Sequence, residues 1–168
     1  MEKKIVWDNA IKSENESTNQ SSIPTPPNIN ELFQNARWRA EEPKDGWPES
    51  FGVVTAWNPN GKIISDEENA ERTEALRKDL DNRELLYFPV TGYALDSDHY
   101  EDGFGIVCGR DETIRLGQEW EQLAVFWMDD GWVWLIFCDR DREETRLRTL
   151  EEMVSNRESI LDGGPGEP

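Results

Sequence analysis

The residues best suited to bind a ligand follow the first strongly apolar segment of the sequence. Asn58 and Asn60 stand in a turn, and Asn69 and Arg72 come next on a predicted helix. In open α/β sheets, ligands bind at the carboxyl ends of strands, and exposed N–H groups at a helix N-terminus favour anions. An acid from a middle loop and a glutamine at a later strand entry complete the candidate site. The candidate ligand-binding residues are Asn58, Asn69, Arg72, Asp102 and Gln122.

A structural role also explains these residues. The sequence Asn58-Pro59-Asn60-Gly61 is typical of a turn, and Asn69 could satisfy the loop backbone from the first helical turn. The acids of that turn, Asp66 to Glu68, would repel an anionic ligand. The sequence therefore favours the structural interpretation, with the ligand site as the alternative.

The sequence lacks the residue patterns that nucleophilic catalysis, metal binding and common cofactor-binding motifs require. His99 is the only histidine, so neither a Ser-His or Cys-His nucleophile nor a zinc site is indicated. The acids of the loop Asp96 to Asp102 are not in the register of an EF-hand, and no Walker loop, GxGxxG or CxxC occurs. Cys108 and Cys138 are expected as buried thiols, with a disulfide between neighbouring strands as the alternative. We therefore expect no metal and no cofactor, and a protein that is not an enzyme is favoured.

The charge balance limits the classes of partner that we expect. Of 168 residues, 36 are Asp or Glu and 18 are Lys or Arg, which gives a net charge of −18. Phosphate contacts require Lys and Arg, so neither direct nucleic-acid binding nor attachment to an anionic membrane is expected. Residues 1–28 carry four acids and three bases and residues 162–168 carry two acids, so −15 belongs to residues 29–161.

Two functional hypotheses follow. A dense acidic surface steers association with basic partners, so the favoured hypothesis is a non-enzymatic binding or regulatory module that engages a basic protein. The alternative is a small ligand-binding domain or enzyme that uses the edge formed by Asn58, Asn69 and Arg72. A continuous acidic face without a deep pocket would favour the first. A concave site that gathers the candidate residues would favour the second.

Composition divides the chain into three parts. Residues 1–28 are rich in Ser, Asn, Glu, Thr and Pro and predict a flexible arm, and residues 162–168 predict a disordered tail. Residues 29–161 predict one domain, since 8 Trp and 10% aromatic residues are typical of a folded protein. No run is long enough to span a membrane and the N-terminus lacks the apolar stretch of a signal peptide, so we expect a cytoplasmic protein.

Hydrophobic periodicity and turn residues define the expected elements. In chain order they are a helical turn at 30–34, an edge strand at 36–42, a strand at 51–57, a helix from the cap Ser65 to Asn82, a strand at 85–94, a loop at 96–103, a strand at 104–109, a helix capped by Asp111, a hairpin of strands 125–128 and 132–137, and a helix at 141–161. Pro89 and Gly92 indicate that the strand at 85–94 is bulged or lies at an edge.

This order predicts the fold class. From residue 51 it is strand, helix, strand, strand, helix, strand, strand, helix, and the first six elements match a ferredoxin-like split β-α-β pattern. We predict an α/β fold, an α+β sandwich, whose ferredoxin-like core is extended by a C-terminal hairpin and helix. Its helices should lie mainly on one face. A different strand order is the alternative.

One set of motifs resembles a known bacterial family. The set is Thr55-Ala56-Trp57-Asn58-Pro59 at a strand end, Asn69 and Arg72 on the following helix, an acid (Asp102, with Glu101 as the alternative) before the strand at 104–109, and Gln122-x-Ala124-Val125-Phe126. This pattern resembles the family called domain of unknown function 3293, over residues 36–138. The resemblance implies a related fold for most of the folded body. It implies no activity, because none is assigned to that family.

Overall fold

A computed structural model describes residues 33–95, 97–138 and 143–154. The arm expected at 1–28 and the tail expected at 162–168 lie outside these residues. The elements are β1 (Ala36–Arg39), β2 (Ser50–Thr55), a 3₁₀ turn (Pro59–Gly61), α1 (Asp66–Asn82), β3 (Leu86–Ala94), β4 (Tyr100–Val107), α2 (Arg110–Glu119), β5 (Ala124–Asp129), β6 (Trp132–Phe137), β7 (Glu144–Thr149) and α3 (Leu150–Val154).

The strands form one antiparallel sheet in the order β1-β3-β4-β2-β5-β6-β7. The connection through α1 joins β2 to β3 with β4 between them, and the connection through α2 joins β4 to β5 with β2 between them. Helix α3 contacts both edge strands, β1 and β7, and the sheet curls into a half-barrel. The structure is a mixed α+β fold, which confirms the predicted class at that level.

Successive side chains of each strand point to opposite faces of this sheet. Helices α1 and α2 cover one face, called here the helix face. Its buried cluster includes Val54, Ala56, Leu76, Leu80, Phe104, Ile106, Ile114, Leu116, Val125 and Ile136. The opposite face, called here the inner face, packs against α3. Its buried cluster is Ala36, Trp38, Phe51, Val53, Val90, Met128, Val133 and Met153.

Two short-range predictions are confirmed. The hydroxyl of Ser65 accepts a hydrogen bond from the N–H of Glu68, whose carboxylate accepts from the N–H of Ser65, so the predicted capping box begins α1. The helix ends at Asn82, as expected. The β5–β6 hairpin turns at Asp130 (φ 54°) and Gly131 (φ 80°), the two left-handed positions of a type I′ turn.

The predicted edge position of β3 is wrong. Strand β1 pairs with residues 91–94 of β3, and β4 pairs with residues 86–93 without a register shift. Pro89 lies in the part of β3 that has a partner strand on one side only. Because proline has no N–H to donate, this half-paired stretch accommodates it inside a larger sheet.

Two predicted boundaries are also wrong. The helix expected at 141–161 is strand β7 over 144–149, and helix only over 150–154 in its described part. Alternation of Arg with Thr and Leu along β7 has the period of a strand and not of a helix. The loop expected at 96–103 is shorter, because β4 begins at Tyr100.

The start of α2 and the two cysteines complete the comparison with the sequence. Gly109 occupies the N-cap position without a side-chain hydrogen bond, so Asp111 is not the cap but part of the first turn.

Cys108 and Cys138 are thiols, as expected, and do not form a disulfide. Cys138 is buried in the helix-face cluster, and burial raises the pKa of the half-buried Cys108 thiol.

Candidate ligand-binding site

A cavity of about 110 Å³ opens on the inner face. The aromatic residues that line it are Phe33, Trp38, Trp57, Tyr93 and Phe126. The rings of Phe33, Trp38 and Phe126 pack against one another, whereas the Tyr93 ring lies beneath the Arg39 guanidinium and the Trp57 indole donates to the Thr73 hydroxyl. Its aliphatic residues are Ala36, Val53, Ile63, Leu123 and Ala124. Its polar residues are Thr55, Asn58, His99, Glu101 and Gln122. An engineered apolar cavity of about 150 Å³ binds benzene, so the space here suits a small organic molecule.

Four of the polar side chains form a row, called here the polar row: His99, Glu101, Thr55 and Gln122. Nε2 of His99 lies 3.0 Å from Oε2 of Glu101, and Oγ1 of Thr55 lies 3.2 Å from Oε1 of Glu101. The same Oγ1 lies 3.3 Å from Oε1 of Gln122 and accepts from the N–H of Trp57. A hydroxyl carries a single proton, so Thr55 donates to only one of those two oxygens at a time. The row therefore has more acceptor than donor capacity.

The register of β4 decides which acid reaches the cavity. Glu101 and Asp102 are neighbours on a strand, so their side chains point to opposite faces of the sheet. Glu101 lines the cavity on the inner face. Asp102 lies on the other side, where Oδ1 accepts from the hydroxyl of Thr91 at 2.7 Å. The predicted acid Asp102 is therefore not brought together with the other candidate residues, and Glu101 occupies its expected place.

Gln122 joins the cavity to the backbone of the strand end. Its Nε2 donates to the carbonyl oxygens of Trp57 (3.0 Å) and Trp120 (3.1 Å). These two acceptors fix the amide orientation, because the flipped amide would place its oxygen against two carbonyls. The side-chain oxygen of Gln122 thus faces Thr55 and the polar row.

Asn58 and Asn69 form a buried pair. Oδ1 of Asn69 accepts from the N–H of Asn58 at 2.9 Å, and Nδ2 of Asn69 donates to Oδ1 of Asn58 at 3.1 Å. Oδ1 of Asn58 also accepts from the N–H of Ile64. Asn58 has a left-handed backbone (φ 45°), which asparagine tolerates better than most residues. The pair holds the chain between β2 and α1 at the cavity, and Asn58 itself lines it.

Arg72 stands behind the cavity rather than in its wall. Its guanidinium donates to the carbonyl oxygens of Ala56 and Trp120, and it forms an ion pair with Glu121 at 3.4 Å. It also lies over the ring of Trp120, 5.7 Å from the centroid. These contacts tie α1 to the segment after α2. Arg72 thereby positions the backbone that Gln122 also binds.

Two cavity residues, Thr55 and His99, are not among the candidate ligand residues of the sequence, and Glu101 is there only as the alternative to Asp102. His99 falls in the loop expected at 96–103, whereas its side chain is buried and borders β4. The signal that identifies Glu101 is the alternation of β4, in which small residues at 103 and 105 share a face with position 101. Thr55 ends a strand whose odd positions, from Phe51, point to the inner face.

Neither a metal-ligand cluster nor a membrane-spanning helix occurs among the described residues. Across residues 33–95, 97–138 and 143–154, no group of three or more His, Cys, Asp or Glu side chains is arranged to hold a metal ion. No helix in these ranges is both long and apolar enough to cross a membrane.

Comparison with known proteins gave one match. A family model described as protein of unknown function (DUF3293) matches residues 54–125, which run from the end of β2 to the start of β5. This range contains the Asn58–Asn69 pair, Arg72, Glu101 and Gln122. Neither the curated proteins nor the solved structures gave a significant match. The resemblance seen in the motifs is confirmed over residues 54–125, which match the DUF3293 family of unknown function.

Proposed function

We propose that the protein binds a small organic molecule in the inner-face cavity. The observation that carries this proposal is the polar row at the side of a cavity whose other walls are aromatic and aliphatic. Ligand sites typically combine apolar walls with a few converging polar groups that fix orientation. Of the predicted ligand residues, Asn58 and Gln122 line this cavity, while Asn69 and Arg72 support its backbone.

A fragment screen by NMR tests this function. Backbone amide shifts of the full chain should move around the cavity when a library of small aromatic and aliphatic fragments is added. The variant Gly92→Leu should abolish these shifts by filling the cavity that Gly92 lines. A Cβ at this position would lie 4.0 Å from its nearest neighbour, the Glu101 carbonyl oxygen, so the backbone has room to carry the larger side chain.

The control is Leu86→Ala, which removes an exposed side chain that does not line the cavity. Binding to Gly92→Leu as strong as to wild type would contradict the proposal, as would shifts that cluster away from the inner face.

The acidic surface supports a second candidate, the engagement of a basic protein. Five acids on the first turns of α1 are exposed: Asp66, Glu67, Glu68, Glu71 and Glu74. Such a surface speeds encounter with a basic partner and loses that effect as salt rises. Capture of one partner at low salt, its release at high salt, and its loss in a Glu67→Lys, Glu71→Lys variant would support this candidate. Capture unaffected by both changes would overturn it.

We also propose that β2 to β5 form a ferredoxin-like unit. Support comes from the strand order β3-β4-β2-β5 and from two helical connections that each span one intervening strand. Both helices pack into a single cluster on the helix face. An experimental structure with a different order of these four strands would overturn this assignment.

A further inference from the structure

The polar row presents acceptors to the cavity. Glu101 contributes a carboxylate and Gln122 an amide oxygen, while the Gln122 amide nitrogen is engaged with two backbone carbonyls. The one proton of the Thr55 hydroxyl serves either Glu101 or Gln122. A ligand that completes this network must bring N–H or O–H donors. A ligand that supplies only acceptors would leave the oxygens of the row facing its own.

The aromatic residues and the overall charge also favour a cation in the cavity. Of the aromatic residues that line the cavity, Phe33, Trp38 and Phe126 pack their rings against one another on the inner face, and the faces of such rings attract cations. Among the described residues that line it, none is Lys or Arg. The net charge of −18 adds a long-range attraction for cations and repels anions.

We infer that the cavity binds a small organic ammonium ion, with its charged nitrogen at Glu101 and its apolar part against the aromatic rings. This inference rests on the proposed ligand-binding function and names its ligand class. The carboxylate accepts the ammonium N–H groups or, for a quaternary ion, neutralises its charge, and the rings contribute cation–π attraction. The exposed side chains of Ile63 and Leu123 at the cavity give the apolar part of a ligand a further surface.

Neutral isosteres provide the test. Binding to the full chain is measured by calorimetry and amide shifts for two pairs: choline against 3,3-dimethylbutan-1-ol, and benzylammonium against benzyl alcohol. Choline and its partner have the same shape and differ in charge alone, whereas benzylammonium and benzyl alcohol differ in charge and in the number of hydrogen-bond donors. The wild-type protein should bind each cation about tenfold more tightly than its neutral partner.

Two neighbouring carboxylates supply matched variants. Glu101→Gln should reduce the preference for the cation to nearly one, because it weakens binding of the cation more than binding of the neutral probe. Asp102→Asn removes the same charge from the opposite face of the same strand and should retain the preference. If Glu101→Gln does not fold, the comparison of isosteres on the wild-type protein still decides.

Each outcome has a distinct meaning. Equal affinity for cation and neutral isostere in the wild-type protein overturns the ammonium inference and leaves the proposed function standing. Tighter binding of the neutral probes does the same. Shifts from none of the four probes overturn the ammonium inference, and absence of any hit in the fragment screen as well overturns the proposed function.

Discussion

The two faces of the sheet are covered in different ways. On the helix face, α2 approaches β2 so closely that a Cβ on Gly52 would overlap the side chain of Thr113. A Cβ on Gly117 would likewise overlap Val125 and Cys138. On the inner face, the short helix α3 and a set of large rings leave a cavity. The helix face is packed to contact. The inner face is as close at Gly105, whose Cβ would overlap the ring of Phe88, and it retains space for another molecule only at the cavity.

This difference follows from the connections. Both long helices cross between parallel strands that flank an intervening one, and both lie on the same side of the sheet. The inner face then depends on curling of the sheet and on α3, which reaches both edges. Rigid aromatic rings meet mainly edge to face there, as with Trp38 and Phe126, whose rings are 5.6 Å apart at 85°. Stability should therefore depend more on the helix face and binding more on the inner face.

Truncation of a leucine on each face gives the largest expected contrast. Leu76→Ala in α1 should lower the free energy of unfolding by about 2–5 kcal/mol, because Leu76 is 0% exposed and its removal leaves a void. Leu123→Ala at the cavity should cost about 1 kcal/mol or less, since that side chain is 36% exposed. Urea unfolding monitored by tryptophan fluorescence measures both. Equal losses would break the distinction between the faces.

Glycine-to-alanine changes sharpen the same contrast. Gly52→Ala should destabilise by about 1–3 kcal/mol, since α2 must move away from β2. For Gly92→Ala, the added Cβ would lie at an ordinary contact distance from its nearest neighbour. Replacing a strand glycine where the backbone permits it is neutral or slightly stabilising. Melting temperatures of the two variants report the difference. A loss for Gly92→Ala as large as that for Gly52→Ala would mean that the inner face is packed as tightly.

Variants of the Asn58–Asn69 pair and of Gln122 separate an effect on stability from an effect on ligand binding. Asn69→Ala removes the acceptor of the buried Asn58 N–H, which should cost about 1–3 kcal/mol in urea unfolding. Gln122→Leu instead removes an amide that faces the cavity, and it should weaken ligand binding in addition to stability. If Asn69→Ala leaves stability unchanged, the pair is not the support of the β2–α1 connection.

Much of the fold is predictable because its signals are local. The capping box at Ser65 and Glu68 and the turn at Asp130 and Gly131 each depend on a few adjacent residues. The candidate site was half predictable: Asn58 and Gln122 reach the cavity from strand ends. Of the two acids considered, Glu101 and not Asp102 lines the cavity, because a change of one residue in a strand reverses the face.

The C-terminal region shows where local helix propensity gives the wrong prediction. Charged residues at 141–148 suit a helix by propensity, but pairing with β6 outweighs propensity. A better signal lay at Thr149 and Glu152, whose spacing is that of a capping box. The N–H of Glu152 donates to the Thr149 hydroxyl, and the N–H of Thr149 donates to the Glu152 carboxylate. That motif marks the true start of α3.

The two capping boxes, at the starts of α1 and α3, allow the smallest test of the comparison. Ser65→Ala and Thr149→Ala should each cost about 1 kcal/mol, but only Thr149→Ala should loosen the inner face, since α3 joins the two sheet edges there. Hydrogen bonds from the Thr149 backbone and side chain lower the pKa of Glu152. A carboxyl with a lowered folded pKa stabilises the protein above its unfolded pKa, and this contribution is lost as pH falls through the folded pKa.

Removal of the Thr149 hydroxyl should therefore raise the Glu152 pKa part of the way to its usual value, because the backbone N–H at position 149 remains. Carbon-13 titration of the glutamate side chains measures this shift, and Ser65→Ala serves as the control that should leave it unchanged. An unaltered Glu152 pKa in Thr149→Ala would mean that the backbone contact alone holds the carboxylate. The capping hydroxyl would then act only as the acceptor of the Glu152 N–H.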